Sequence, residues 1–258
     1  MCVICKLPLE ELINLTKIDC YNCSVLTEIP SSLIHLQKLN CSYCLLLTSI
    51  PSTLVNLQSL DCAGCKRLTT IPTSLVNLQV LNCSRCELLT SIPDTLVNLR
   101  QLFCWCCERL ENIPDTFINL QTLRCEGCVK VCVIPYTLIK LETMNCCHCL
   151  LVTTIPSILV NMKSLYCGDC PALTYVPSNL KLLQTLWYSD SMYLYVPFII
   201  QEQIKRRTNN KIAIFASKVK RLCRRIQNKR MLQILNSQEQ HLPGVLNGIV
   251  ANYLFFYG

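Results

Sequence analysis

Apolar residues return along this chain with a fixed step. An Ile-Pro or Val-Pro dipeptide recurs every 21 residues from Ile29-Pro30 to Val176-Pro177, and one more, Val196-Pro197, follows after 20. Each interval carries the pattern Leu-x-x-Leu-x-Cys-x-x-Cys-x-x-Leu-Thr-x-Ile-Pro-x-x-Leu-x-Asn. A period of about 20 to 50 residues indicates a solenoid, because each unit is one layer that rests on the next. The pattern predicts nine coils over residues 15–197, the ninth of them degenerate.

Within one coil, the pattern predicts a short strand and an extended return. The alternation of Leu60 and Cys62 around a polar residue is typical of a half-buried strand. Pro72 blocks an α-helix in the middle of the coil and forces Ile71 into an extended conformation, so the return is expected to be extended or a short 3₁₀ segment. A single coil cannot bury enough apolar surface to offset the entropy of ordering it. We therefore expect the strands to stack roughly 4.8 Å apart into one parallel sheet.

The repeat resembles that of the leucine-rich repeat family, whose strand signature Leu-x-x-Leu-x-Leu is followed by Asn or Cys three residues on. The resemblance extends from Leu12 to about Pro197, and in this chain Cys replaces both the third Leu and the Asn. It implies a solenoid with a parallel β-sheet on its concave face and an extended or 3₁₀ convex side. Short Cys-bearing coils with Ile-Pro are also similar to those encoded by giant DNA viruses of amoebae, which implies a viral protein.

The chain contains 22 cysteines, and most of them follow the repeat. Eight Cys-x-x-Cys pairs run from Cys20/Cys23 to Cys167/Cys170, and the same interval separates each pair from the next. That interval satisfies a zinc-site template, but a zinc site closes once with four ligands, whereas every coil here carries the pair. We prefer a structural ladder in which the first Cys is a small buried hydrophobe and the second donates its S–H to loop carbonyls. Metal binding and disulfides are the alternatives; no cofactor and no metal ligand are predicted.

Catalytic residues are not predicted either. His148 is flanked by Cys146, Cys147 and Cys149, and we expect it to be an exposed side chain at a strand exit. The chain has three His and no Ser–His–Asp, Gly-rich phosphate-loop or paired-carboxylate signature. The sequence favours a protein that is not an enzyme and that acts as a scaffold for a protein partner.

The outward positions of the strands change character along the array. The first four coils present small polar groups beside the first Cys, whereas large aromatic and charged side chains appear from the fifth coil onward. Trp, Tyr and Arg are enriched at binding hot spots, and an exposed aromatic cluster marks an interaction surface. The predicted partner-binding residues, on the concave face of coils five to nine, are Phe103, Trp105, Arg124, Glu126, Asn145, Tyr166 and Trp187. For Trp187, packing under the C-terminal segment is the alternative.

Basic charge is concentrated after the repeats. Residues 205–230 hold 11 of the 24 Lys and Arg and no acidic residue, while the rest of the chain carries a net charge of −3. Ile212, Phe215 and Val219 begin an apolar stripe with three- and four-residue steps, which predicts an amphipathic helix within residues 198–235. Its other face carries the basic patch Lys218, Lys220, Arg221, Arg224, Arg225, Lys229 and Arg230. The patch is expected to contact nucleic acid, an anionic membrane surface or a calmodulin-type partner, or to be the solvated face of a helix that caps the array.

Residues 236–258 form an apolar tail. The segment 242–254 resembles the opening of an F-box, the motif that docks substrate receptors onto the Skp1 adaptor of ubiquitin ligases. The apolar positions of that motif are matched, within one residue, by Leu242, Pro243, Leu246, Val250, Tyr253 and Leu254. The usual early acidic residue is absent, and Gly248 weakens the helix. The resemblance implies, as an alternative function, a substrate receptor of a ubiquitin ligase.

The N-terminal segment bears on where the protein acts. Residues 1–14 are expected to form a partial coil that caps the array, and they contain no long apolar core of a secretory signal. No stretch of the chain approaches the roughly 18 apolar residues of a membrane span. We expect the cytoplasm, or the host cytoplasm for a viral protein, where thiols stay reduced.

Overall fold

The computed structural model describes residues 2–188 and 194–205, which belong to one compact unit extending from Met1 to Lys205. The basic patch, most of the predicted amphipathic helix and the F-box-like tail lie outside the described residues. A helical segment at residues 198–205 is the described part of the predicted C-terminal extension. Among the described residues, no helix is long and apolar enough to cross a bilayer.

Among residues 2–188 and 194–205, nine three-residue strands form one parallel sheet, in the order in which they occur along the chain. Each strand pairs with the next at the step of the sequence repeat, as Leu60 does with Leu81, so the period of the sequence is also the repeat of the sheet. The predicted parallel solenoid is confirmed. The strands are β1 (Lys17–Asp19), β2 (Lys38–Asn40), β3 (Ser59–Asp61), β4 (Val80–Asn82), β5 (Gln101–Phe103), β6 (Thr122–Arg124), β7 (Thr143–Asn145), β8 (Ser164–Tyr166) and β9 (Thr185–Trp187).

The core runs as a column between the sheet and the return side of the coils. The middle residue of every strand is buried, and its two neighbours are at least partly exposed. The first Cys of each pair follows two residues after that middle residue, on the same side of the chain. In one coil, Leu60, Cys62 and Leu68 are fully buried together with Leu75. Every coil adds such a layer to the same apolar cluster.

The return side of each coil consists of extended chain and turns, as predicted. After the Pro, the N–H of Leu54 donates to the carbonyl of Pro51 (3.4 Å), and the N–H of Leu57 donates to that of Leu54 (3.0 Å). Asparagine side chains tie successive coils together here, because Asn56 Nδ2 donates to the carbonyl of Ile34 (2.9 Å). The same bond, at 2.8 to 3.1 Å, is made by Asn77, Asn98, Asn119 and Asn161. The Asn near the end of each repeat is thus a structural residue.

Short helices lie at both ends of the array. Before β1 come α1 (Val3–Lys6) and α2 (Leu9–Leu12), and Leu12 is buried in the core. At the other end, Ile200 of the helical segment is buried, and Gln203 Nε2 donates to the carbonyl of Leu183 (2.7 Å). The terminal coils of a solenoid need such lids, because their apolar faces have no neighbouring coil. Residues 198–205 therefore cover the last described coil, while the stripe from Ile212 that was predicted to cap the array lies outside the described residues.

Candidate functional site

Each Cys-x-x-Cys segment is a tight turn that leads the chain away from its strand. In seven coils the N–H of the second Cys donates to the carbonyl of the first, as Cys65 does to Cys62 (3.2 Å). A positive φ at the third residue is what a type II turn requires, and it occurs in eight coils, at Asn22, Tyr43, Gly64, Arg85, Cys106, Gly127, His148 and Asp169. The spacing of the cysteine pairs is therefore set by a turn. His148 is exposed, as predicted, with its Nδ1 3.5 Å from Asp169 Oδ2.

The thiols form the predicted hydrogen-bonded ladder. In seven coils the S–H of the second Cys donates to the carbonyl of the first Cys of the preceding coil, over 3.0 to 3.2 Å. All the described cysteines are free. A hydrogen bond with the thiol of Cys86, together with burial, raises the pKa of the Cys62 thiol, and burial is the main cause that raises the pKa of Cys167 to about 12. Cys62 and Cys167 are therefore protonated at neutral pH. In the second position, a hydrogen bond with the thiol of the first Cys of the preceding coil lowers the pKa of Cys65, Cys107 and Cys170.

The residue just before the first Cys caps the strand exit in five coils. The side-chain oxygen of Asp61 accepts the N–H of Ala63, two residues on (3.1 Å). The same bond, over 2.8 to 3.2 Å, is made by Asp19, Asn40, Asn82 and Asn145. Some of these caps also bond to each other across coils, as Asn82 Nδ2 does to Asp61 Oδ2 (3.1 Å). The small polar groups of the first four coils, and Asn145 among the predicted binding residues, therefore hold the turn.

Four coils replace this cap with a large side chain. The strand register places the predicted residues in one row across β5 to β9, which we call the strand-end row: Phe103, Arg124, Asn145, Tyr166 and Trp187. Arg124 and Trp187 are exposed, and the other members are half-buried. Within this row, only Asn145 keeps a side chain that can cap the turn. The sequence was right that these positions face outward.

Trp105 and Trp187 are held by different contacts. The guanidinium of Arg85, in the neighbouring coil, lies 4.6 Å from the ring centroid of the half-buried Trp105, which is a cation–π contact. The indole of Trp187 lies flat against Gly168, since a Cβ at Gly168 would come within 2.0 Å of Trp187 Cζ3. Trp187 is nevertheless 42% exposed. Both indoles present part of their surface to solvent, Trp187 within the strand-end row and Trp105 next to it.

The centre of the predicted surface is polar. Arg124 donates from Nε and Nη2 to Glu126 Oε1 (2.9 and 2.6 Å), and Asn145 Nδ2 donates to the same oxygen (2.6 Å). The other oxygen, Glu126 Oε2, is buried and has no hydrogen-bond partner among the described residues. Such a group is costly to leave unpaired.

Two further surface features were not predicted from the sequence. The rings of Tyr21 and Tyr43 meet edge to face, 5.9 Å apart, in the first two coils. A polar channel of about 920 Å³ also runs across the N-terminal ends of the strands. Its lining includes Arg100, the glutamines Gln37, Gln58 and Gln79, and the asparagines Asn14, Asn56, Asn77, Asn98 and Asn119. The signal for this channel was present, because Gln recurs just before the strands at the period of the repeat.

A separate group of thiols lies at the N-terminal end of the array. The sulfur atoms of Cys2, Cys5 and Cys23 lie within 4.8 Å of one another, close enough to share a metal ion. Burial raises the pKa of the Cys23 thiol, but the N–H groups of Val25 and Cys2 and the two neighbouring thiols outweigh it, so that the pKa falls to about 7. The sequence pattern did not predict this group as metal ligands, because Cys2 and Cys5 precede the first coil and only the Cys-x-x-Cys pairs within the coils were compared with a zinc template.

Comparison with known proteins agrees with this geometry. Residues 14–36, 35–57, 56–78 and 77–99 each match the model of the Leucine Rich Repeat family. Residues 14–99 are therefore leucine-rich repeats. The register of the matched repeats continues without a break to β9. No curated protein sequence is significantly similar to this chain.

Three solved structures are similar to this chain at low identity. A TDR receptor is 20% identical, with a TM-score of 0.53 over 74% of this chain and 39% of the receptor. The functional domain of InlJ from Listeria monocytogenes, which includes a cysteine ladder, is 19% identical, with a TM-score of 0.32 over 72% of this chain and 56% of that domain. The Arabidopsis receptor kinase HAESA, solved with a peptide hormone and a co-receptor, is 22% identical, with a TM-score of 0.46 over 68% of this chain and 33% of the kinase chain. This chain thus spans between a third and little more than half of these structures.

Proposed function

We propose that this leucine-rich-repeat protein is a non-catalytic scaffold that binds a protein partner on the concave face of coils five to nine. The fold is one that commonly serves protein–protein interaction, because a stack of coils presents an extended surface. The observation that carries the proposal is the replacement of the turn cap by Phe103, Arg124, Tyr166 and Trp187. Each capping hydrogen bond contributes about 0.5 to 1.5 kcal/mol. Folding alone gives no reason to lose four of them on one stretch of the surface.

The chemistry of the surface indicates what kind of partner it fits. Two indoles and two other aromatic rings surround the Arg124–Glu126–Asn145 cluster, so an apolar anchor of the partner finds contact area beside a polar centre. Glu126 Oε2 is buried and unpaired among the described residues, so a donor from the partner would satisfy it only if the Glu126 carboxylate turned towards the surface. Aromatic and Arg side chains around a desolvated polar contact are the usual composition of a binding hot spot.

Substitution of Trp105 tests this proposal. Trp105→Ala removes a half-buried indole and its contact with Arg85, and we expect it to abolish capture of the partner while the fold remains intact. Tyr136→Ala is the matched control, because Tyr136 is 58% exposed and follows the Pro on the return side of its coil. Affinity purification from the cells in which the protein is made, with both variants in parallel, should show proteins that the wild type and Tyr136→Ala retain and Trp105→Ala loses. Identical sets from all three would contradict the proposal.

The other hypotheses concern residues that the structure does not describe. A ubiquitin-ligase receptor would act through residues 242–254, and contact with nucleic acid or an anionic surface would act through residues 205–230. We further propose that the protein works in a reducing compartment such as the cytoplasm. Seven ladder thiols use their S–H hydrogen to satisfy a buried carbonyl, and oxidation would remove that donor.

A further inference from the structure

The thiol group at the N-terminal end differs from every rung of the ladder. Cys2 Sγ lies 3.7 Å from Cys5 Sγ, and Cys5 Sγ lies 3.8 Å from Cys23 Sγ. It is the single group of three metal-ligating side chains found among residues 2–188 and 194–205. A tetrahedral zinc ion with Zn–S bonds of about 2.3 Å has sulfur atoms about 3.8 Å apart along each edge. Both measured edges agree with that value.

The environment of Cys23 explains why this group of thiols can bind a metal. In the seven ladder bonds, the second Cys of a pair donates its S–H to a carbonyl of the preceding coil, as Cys44 does to Cys20 (3.1 Å). Cys23 belongs to the first coil, so no earlier coil offers that carbonyl. Its sulfur instead accepts the N–H of Cys2 (3.4 Å) and faces the thiol of Cys5. A sulfur surrounded by hydrogen-bond donors is stabilised as a thiolate, which is the form that binds metal.

The sequence spacing supports the same conclusion. The interval from Cys5 to Cys20 is shorter than the interval between consecutive ladder pairs, such as that from Cys23 to Cys41. The pair Cys2/Cys5 is therefore not a product of the repeat, and the argument against a zinc site in the coils does not apply to it. Between Cys5 and Cys20 lie 14 residues, close to the roughly 15 to 20 residues between the two Cys-x-x-Cys pairs of a structural zinc site.

We propose that Cys2, Cys5 and Cys23 bind a Zn²⁺ ion that fastens α1 to the first coil. Soft thiolate ligands select zinc over calcium, magnesium or manganese. The ion would take the place of the missing coil as the lid of the array. Its binding free energy would then add to the stability of the N-terminal end, since the unfolded chain holds no such preformed site.

The test compares the zinc content of the wild type with that of a variant that lacks the exposed ligand Cys5. The full chain is purified under a thiol reductant, loaded with zinc and dialysed, and bound zinc is measured by elemental analysis. We expect one tightly bound ion per chain in the wild type and in Cys132→Ser, a matched control because Cys132 is another exposed free thiol. Cys5→Ser should bind zinc at least about tenfold to a hundredfold more weakly. It should still fold, because Cys5 is exposed.

Cobalt substitution gives a second readout. Co²⁺ in the wild type should show a thiolate-to-metal charge-transfer band whose intensity corresponds to at least three sulfur ligands, together with the strong visible bands of tetrahedral coordination. Cys5→Ser should lose both. Equal zinc content in the wild type and Cys5→Ser, or a cobalt spectrum with fewer than three thiolates, would overturn the proposal, because the metal would then be bound by ladder thiols or not bound specifically.

Discussion

The residue just before the first Cys of a coil shows how one position can serve two purposes. In the first four coils Asp or Asn there accepts a backbone N–H, and Asn145 does the same in the seventh. The sequence could predict that this position faces outward, because it alternates with buried residues. It could not show that Asn145 caps a turn, since that bond depends on the path of the chain after the strand. Phe103 and Trp187 cannot make the bond, and this separates them from the structural residues.

The positive φ of Cys106 leads to a prediction about stability. The left-handed region costs a residue with a Cβ about 1 to 2 kcal/mol of conformational energy. Glycine adopts this region freely, but it loses more conformational entropy when the chain folds. Cys106 is exposed and has a φ of 55°. We therefore expect Cys106→Gly to raise the free energy of unfolding by about 0.5 to 1 kcal/mol, measured by urea denaturation.

The control for this prediction is Cys132→Gly. Cys132 is also exposed, but it is not among the described residues with positive φ. Glycine there only adds disorder to the unfolded chain, so the same measurement should show a small loss of stability. A loss of stability in Cys106→Gly as large as that in Cys132→Gly would mean that the turn is not strained.

The strands and the ladder could be predicted from the repeat itself. Because the repeat length does not vary from β1 to β9, the register of every strand pair is fixed: Leu60 must meet Leu81, and the thiols of neighbouring coils must stack. The type II turn between the cysteines was not predicted, because its glycine signal is present only at Gly64 and Gly127. The other coils place residues such as Tyr43 and Arg85 where glycine would be expected.

The ladder makes the fold sensitive to alkaline pH. Hydrogen bonding and burial raise the pKa of Cys62, Cys83 and Cys104 above their ordinary value of 9.0, and burial raises that of Cys147 to about 11. The lowered pKa of Cys65, Cys107 and Cys170 acts in the opposite direction and offsets part of the effect. For groups whose pKa is higher in the folded state, the stability contribution is complete below the pKa of the unfolded chain and is lost as pH rises through the folded value. We expect the free energy of unfolding to fall between about pH 8 and about pH 10, by about 1 kcal/mol for each such thiol.

Denaturation curves across this pH range measure the effect. Cys167→Ala removes one group with a pKa of about 12, so its stability should fall less steeply than that of the wild type. Cys132→Ala, which removes an exposed thiol, should follow the wild type. A free energy of unfolding that stays constant or rises up to about pH 10 would show that the ladder thiols are not held in protonated form.

At the scale of the whole molecule, the ends were harder to predict than the middle. Each internal coil has the same neighbours, so one coil explains the others. At the N-terminal end α1 replaces a coil and brings Cys2 and Cys5 against Cys23, a contact that no internal repeat displays. At the other end Ile200 and Gln203 cover the last described coil, earlier in the chain than the stripe that begins at Ile212.

Site-resolved alkylation of the native protein tests most directly whether the array is a stack of layers with protonated thiols between them. Under a reductant at neutral pH, a small alkylating reagent followed by peptide mass spectrometry should modify Cys106 and Cys132 rapidly, because both are exposed. The ladder cysteines, which are the buried Cys-x-x-Cys pairs from Cys41/Cys44 to Cys167/Cys170, should react only on unfolding. Ladder thiols that react as fast as Cys132 in the folded protein, or that are found joined in disulfides between coils, would contradict the account.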